Sequence, residues 1–231
     1  MRVVYLNSND QYQPLLYDEV HVWSIVLNEL PRTSYLTSVE LERSQRFKLE
    51  RIRLQFIATR SRLRVLLGHY LQMDPMHVPL IYETSGKPNI DPQINSDIHF
   101  NVSHSEFLAT IAVTRRGRVG IDVEFRRSIP NLDSLVDRFF CPRERDFFRT
   151  VPEHDREDAF FRAWTRKEAV LKAVGQGVQS LDLCDVSFGI QEPVMVLRFG
   201  CNEAASDQWF LHGWRPGPKY DAALAIEMAR N

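Results

Sequence analysis

The stretch Val119-Gly120-Ile121-Asp122-Val123-Glu124-Phe125 constrains this chain more than any other. Apolar side chains alternate there with glycine and acids, and side chains alternate faces along a strand. The pattern predicts a β-strand in which Val119, Ile121, Val123 and Phe125 supply a core surface, with Gly120, Asp122 and Glu124 on the other side. Two rises of ~3.3 Å set the carboxylates about 6–7 Å apart along the strand. Like charges that close repel unless a cation lies between them. A hard divalent ion such as Mg2+, which takes oxygen ligands, fits that place. An ordinary half-solvated strand with two exposed acids has the same pattern.

The flanking sequence predicts an α+β fold. Val20 to Leu27 is rich in β-branched and aromatic residues and reads as a buried strand. Leu41 to Leu71 reads as mostly helix, Tyr82 to Pro92 as turn-rich, and Ile98 to Asn101 and Phe107 to Val113 as strands. Helical patterns cover Leu132 to Phe140, Arg143 to Arg149 and Arg156 to Val174. The tail from Val186 to Met228 is strand-like, with turns at Gly200-Cys201-Asn202 and Arg215 to Pro218. Thr59 to Gly68 resembles Thr165 to Gly175, which hints at two similar α/β halves, residues 1–116 and 117–231, related by a pseudo-twofold. Their cleft is then the expected ligand site.

Four further segments carry chemistry. In Phe160 to Gly175, Phe160, Trp164 and Leu171 form one stripe at 100° per residue. Glu168 and Lys172 border that stripe; a solvated i,i+4 ion pair, worth only ~0.3–0.5 kcal/mol, has the same spacing. Asn101-Val102-Ser103-His104-Ser105-Glu106 follows a strand and offers hydroxyls, an imidazole and backbone N–H groups to phosphate oxygens. Ser103 and His104 are poor partners for nucleophilic catalysis, because adjacent residues of an extended chain point apart. Thr84 to Pro88 is a turn with one lysine, Lys87, and lacks the glycine spacing of a P-loop. Arg43 to Arg64 holds seven arginines and one lysine against one acid, Glu50. That excess suits a polyphosphate or a solvated helix face.

Composition removes other classes. With 29 basic and 30 acidic residues, no chain-wide polybasic surface exists to coat nucleic acid or membrane. No apolar run approaches the ~18 residues of a membrane span, and the N-terminus turns polar too early for a signal peptide. Cys141, Cys184 and Cys201 are widely spaced and form no Cys-x-x-Cys pair, as in a cytoplasmic protein.

Gly86-Lys87-Pro88, Asn101 to Ser105, Gly120 to Glu124 and Trp164-Thr165-Arg166-Lys167-Glu168-Ala169-x-x-Lys172-x-x-Gly175 stand in the order and approximate spacing of the Sfp-type 4'-phosphopantetheinyl transferases. The resemblance runs from Gly86 to Gly177. It implies two halves with coenzyme A in the cleft between them, usually in a monomer. The implied reaction moves 4'-phosphopantetheine from coenzyme A to a serine hydroxyl of an apo acyl, polyketide or peptidyl carrier protein, releasing adenosine 3',5'-bisphosphate. By matching positions, Asp122, Glu124 and Glu168 would hold Mg2+, with Mn2+ as an alternative. Lys172 would contact the phosphate beside the reacting centre. Ser103 and His104 would bind coenzyme A phosphates, and Lys87 the nucleotide end. Arg53 and Arg60, with Arg43 next, are candidates for the 3'-phosphate. Glu168 is the candidate base for the serine proton, directly or through a water. Nucleic acid and membrane are not expected partners. Three other readings stay open: a Mg2+-dependent phosphohydrolase using the same carboxylates, a coenzyme A-binding module without catalysis, and a basic-helix nucleic-acid binder through Arg43 to Arg64.

Overall fold

The computed structural model describes residues 1–27, 33–83, 86–189, 193–200 and 206–228. Thr84, Ser85, Cys201 and Asn202 lie outside them. In chain order the elements are β1 (Arg2–Asn7), β2 (Glu19–Val26), α1 (Ser38–Gln45), α2 (Glu50–Leu71), β3 (Leu80–Tyr82), β4 (Pro88–Ile90), β5 (His99–Ser105), β6 (Leu108–Thr114) and β7 (Val119–Phe125). They continue with α3 (Leu132–Phe139), α4 (Pro142–Thr150), α5 (Arg156–Val174), β8 (Cys184–Val186), β9 (Val196–Phe199), β10 (Trp209–Trp214) and β11 (Tyr220–Glu227).

Two sheets carry the fold, in the strand orders β1-β2-β6-β5 and β10-β11-β7. The first comes from before residue 117 and the second from after it. Leu63, Leu66 and Leu67 of α2 pack on Trp23, Ile25, Phe100 and Ile111 of the first sheet. Ala169, Leu171 and Ala173 of α5 pack on Leu211, Ala223 and Ala225 of the second. Val20, Val22 and Ala112 meet Val119, Ile121, Leu224 and Ile226 between the sheets. The order of layers is helix, sheet, sheet, helix. The similar segments Thr59 to Gly68 and Thr165 to Gly175 lie on the two outer helices or, for Gly175, at the helix end.

The structure changes three local expectations. The predicted helix from Leu41 to Leu71 is two helices, broken over Arg46 to Leu49 without glycine or proline. Tertiary pairing sets the break: the capping-box Glu40 of α1 is 1% exposed and accepts from Arg64 Nε of α2 at 2.7 Å. The strand predicted to stop at Asn101 runs on to Ser105, so the whole Asn101 to Ser105 motif lies on strand. Arg2–Asn7, unassigned by the sequence reading, pairs parallel to β2.

Gly120 is where α5 comes closest to β7. A Cβ there would lie 1.9 Å from the Ala169 carbonyl oxygen and 2.4 Å from Ala173 N, both backbone atoms. Gly120→Ala is therefore expected to cost at least the ~1–3 kcal/mol of an overpacked core, read as a lower midpoint of thermal unfolding. His21, fully buried, pairs its Nδ1 with the Tyr70 hydroxyl at 2.7 Å, and burial lowers its pKa from 6.5 to about 4. A histidine held neutral in the fold contributes stability above its unfolded pKa and loses it as pH falls toward the folded one. The melting midpoint should therefore drop between pH 6.5 and about 4, less steeply in His21→Gln.

Candidate active site

β5 and β7 are joined by side chains, not by a backbone ladder. Asn101 Oδ1 accepts from Ile121 N at 2.9 Å, Ser103 Oγ from Val123 N at 3.4 Å and Ser105 Oγ from Phe125 N at 3.0 Å, each offset by 20 residues. Alternate polar side chains of one strand thus satisfy alternate N–H groups of the next, which would otherwise be buried without partners. The hydroxyls use their own protons on the acids of β7. Ser103 Oγ donates to Asp122 Oδ1 at 2.9 Å, and Ser105 Oγ to Glu124 Oε2 at 2.9 Å.

α5 roofs this seam. Lys172 Nζ donates to Asp122 Oδ1 at 2.6 Å and to Ser103 Oγ at 3.0 Å. Asp122 is 3% exposed and Glu168 9%. Burial, then the charge of Asp122, push Glu124 up to about 7, against the Ser105 hydrogen bond and Lys172. The same two causes push Glu168 up to about 7, against Lys172. Lys172 is held above the ordinary lysine value: burial works to lower it, and Asp122, Glu168 and Glu124 outweigh that. One ammonium thus answers three carboxylates, and an unmet demand for positive charge remains.

The donors fit a hard cation. Asp122 Oδ2 is buried without a hydrogen-bond partner, and the neighbouring acids are oxygen ligands whose charge is disfavoured until a cation arrives. Among the described residues, no group of three or more His, Cys, Asp or Glu side chains is already gathered to hold a metal; Lys172 Nζ stands against Asp122 in the present arrangement.

The other expected residues fall in separate places. His104 shares the Phe100 and Val102 face of β5, opposite Ser103, and is exposed. Lys87, on the β3–β4 connection, donates to the Lys172 carbonyl oxygen, and so touches the end of α5. It lines a cavity of about 390 Å3 with His99, Arg118 and Ala173. Arg60 is buried at 3.7 Å from Glu40, over the rings of Phe56 and Tyr82, with Nη1 buried and unpartnered. Arg43 lies over the same two rings. Arg53 does not join them; it turns to Glu50 of its own helix at 2.5 Å.

Sequence reasoning missed Asn101 and Ser105 as parts of the seam, although each stands two residues from Ser103 and so on the same face of a strand. It also missed Asp221, which pairs in register with Glu124, is 3% exposed, and meets Arg215 Nε at 3.3 Å. No local signal marks an acid brought beside Glu124 from a strand almost 100 residues on.

A family model described as ACPS, the 4'-phosphopantetheinyl transferase superfamily, matches residues 118–225. Over 219 residues the chain is 41% identical to the 4'-phosphopantetheinyl transferase HetI of Nostoc sp., covering 92% of this chain and 89% of that protein. It is 34% identical over 112 residues to the 4'-phosphopantetheinyl transferase AcpT of Escherichia coli, covering 48% of this chain and 55% of that one. The holo-[acyl-carrier-protein] synthase structure of Thermotoga maritima aligns with a TM-score of 0.38 at 20% identity, covering 50% of this chain and 65% of that one. The chain belongs to the 4'-phosphopantetheinyl transferase superfamily. It is an enzyme of phosphopantetheine transfer to carrier proteins. No helix among the described residues is long and apolar enough to cross a membrane.

Proposed function

We propose that the seam of β5, β7 and α5 is where 4'-phosphopantetheine passes from coenzyme A to a serine of an apo acyl or peptidyl carrier, with Asp122, Glu124 and Glu168 holding Mg2+. The observation that carries this reading is buried Asp122, which accepts from Lys172 Nζ at 2.6 Å through Oδ1 and keeps Oδ2 without a partner, with Glu124 two residues on along β7 and Glu168 one turn before Lys172 on α5. When bound, the divalent ion neutralises charge on the pyrophosphate oxygens. Lys172 gives up its contact with Asp122 and turns its ammonium to the phosphate being transferred. Glu168, on the rim of the seam and favouring a proton near neutral pH, takes the serine proton. The serine oxygen forms its bond to the β-phosphorus as the bond to the departing adenosine 3',5'-bisphosphate breaks.

Coenzyme A lies along the cavity that Lys87 borders, with Lys87 at the nucleotide end. Arg60, whose Nη1 lacks a partner, and Arg43 beside it take the 3'-phosphate; Arg53, paired with Glu50, supports them less well. Ser103 already serves Asp122, Val123 N and Lys172, so its part is to orient the site's charges, while exposed His104 can reach a phosphate. The working unit is a monomer in the cytoplasm, where Cys141 and Cys184 stay free thiols.

Incubation with coenzyme A, Mg2+ and a panel of apo-carriers, followed by intact mass, tests this. Gain of one phosphopantetheinyl arm on a carrier, with matched release of adenosine 3',5'-bisphosphate, is expected. Cleavage of coenzyme A without a carrier would instead make the chain a phosphohydrolase.

A further inference from the structure

The site opens at one end of the seam. Along β7, burial is complete from Val119 to Val123 and partial at Glu124 and Phe125. Along β5, Ser103 is buried and Ser105 partly so. A serine carried by another protein therefore enters at the C-terminal ends of these strands, and the surface framing that end must receive the rest of its carrier.

That frame is the β5–β6 turn and what it leans on. Glu106 adopts φ 49°, and the next residue, Phe107, is 56% exposed. The Phe107 carbonyl accepts from Leu27 N, which brings the turn beside Val26, 58% exposed. Arg51 of α2 meets Glu106 at 2.5 Å, and Gln55 Nε2 donates to the Glu106 carbonyl at 2.6 Å. The turn is thereby pinned to the start of α2, where Leu49 is 65% exposed and Arg46 and Lys48 are exposed. Across the seam, exposed Arg127 follows β7 and acts on the charge of Glu124.

Val26, Leu49 and Phe107 are exposed on these segments beside exposed Arg46, Lys48 and Arg127, while the acids there, Glu50 and Glu106, are each met by an arginine. Exposed apolar side chains set among charges suit a protein contact. We propose that Val26, Leu49 and Phe107, with Lys48, Arg51 and Arg127, dock the carrier through a segment bearing apolar side chains among acidic ones beside its acceptor serine. This rests on the transferase reading above. The apolar residues supply contact area, and the cations supply steering and register.

The test uses whichever apo-carrier the wild-type chain modifies. Phe107→Ser and Arg51→Glu are each expected to raise the KM for that carrier about tenfold, leaving the KM for coenzyme A and kcat unchanged, and in Phe107→Ser the melting midpoint as well. The carrier KM of the wild type should rise with salt, and Arg51→Glu should flatten that dependence. If repulsion from Glu106 lowers the midpoint of Arg51→Glu, Phe107→Ser and Val26→Ser decide. Carrier KM within twofold of wild type in Phe107→Ser and Val26→Ser overturns the docking surface while the transferase reading stands. A wild type that modifies no carrier overturns both.

Discussion

Asp122→Asn is expected to lower carrier modification by on the order of 10³-fold at saturating coenzyme A and carrier, with circular dichroism unchanged. The exchange keeps the shape and one acceptor oxygen, so Ser103 and Lys172 retain their partner at Oδ1. It replaces the unpartnered Oδ2 with an amide that can neither bind a cation nor carry charge. Two effects follow. Under the proposed assignment a divalent ion would lose its most buried ligand, and Lys172 loses the first of the charges that keep it protonated. Raising Mg2+ should recover part of the activity if weakened metal binding dominates and none if the lysine does. Activity within tenfold of wild type at physiological Mg2+ would remove Asp122 from the metal site. Glu168→Gln separates proton removal from metal binding: loss of kcat at every Mg2+ concentration marks the base.

The period-two pattern at Val119 to Phe125 told correctly that Val119, Ile121 and Val123 enter the core and that Asp122 and Glu124 stand together, while Phe125, expected with the core residues, is only partly buried at the open end of the strand. It could not tell that a helix covers the acidic side, since the only trace is a glycine at the point of contact. The predicted strand stops at Asn101, where a poor strand former stands; the N–H groups of β7 need the polar side chains that follow, and that need is visible only when both strands are placed. α5 misleads in another way. A stripe of Phe160, Trp164 and Leu171 implies a helix with a wet back, yet Lys167 is fully buried and Trp164 is not. The aromatic cluster from α3 and α4 and the cluster on β8 and β11 enclose it from several sides. The arginines of α2 show the limit of spacing alone. Arg53 and Arg60, seven apart, share a helix face within about 20°, but one has Glu50 in reach and the other enters the ring pair of Phe56 and Tyr82.

Lys167→Met should be the most destabilising conservative-volume change in this chain. Lys167 Nζ meets Glu144 Oε2 at 2.5 Å with both side chains 0% exposed, and also donates to the Cys184 carbonyl. Glu144 in turn accepts from Cys141 N at 2.8 Å and Val186 N at 2.9 Å, so one ion pair ties α4, β8 and α5 together. Removing the ammonium leaves a carboxylate buried without its counter-charge, which costs ~3–5 kcal/mol. At ~2–4 °C per kcal/mol for a chain of this size, the midpoint should fall by about 10 °C. Burial already pushes the Glu144 carboxyl up; without Lys167 it protonates more readily, so the deficit should shrink as pH falls. The double variant Lys167→Met, Glu144→Gln removes the stranded charge and keeps an acceptor for a backbone N–H, and should regain more than half of the loss. Equal midpoints for the single and double variants would mean that lost packing, not stranded charge, sets the cost. Because Glu168 follows Lys167 on α5, activity should drop in the single variant below its unfolding temperature and return in the double.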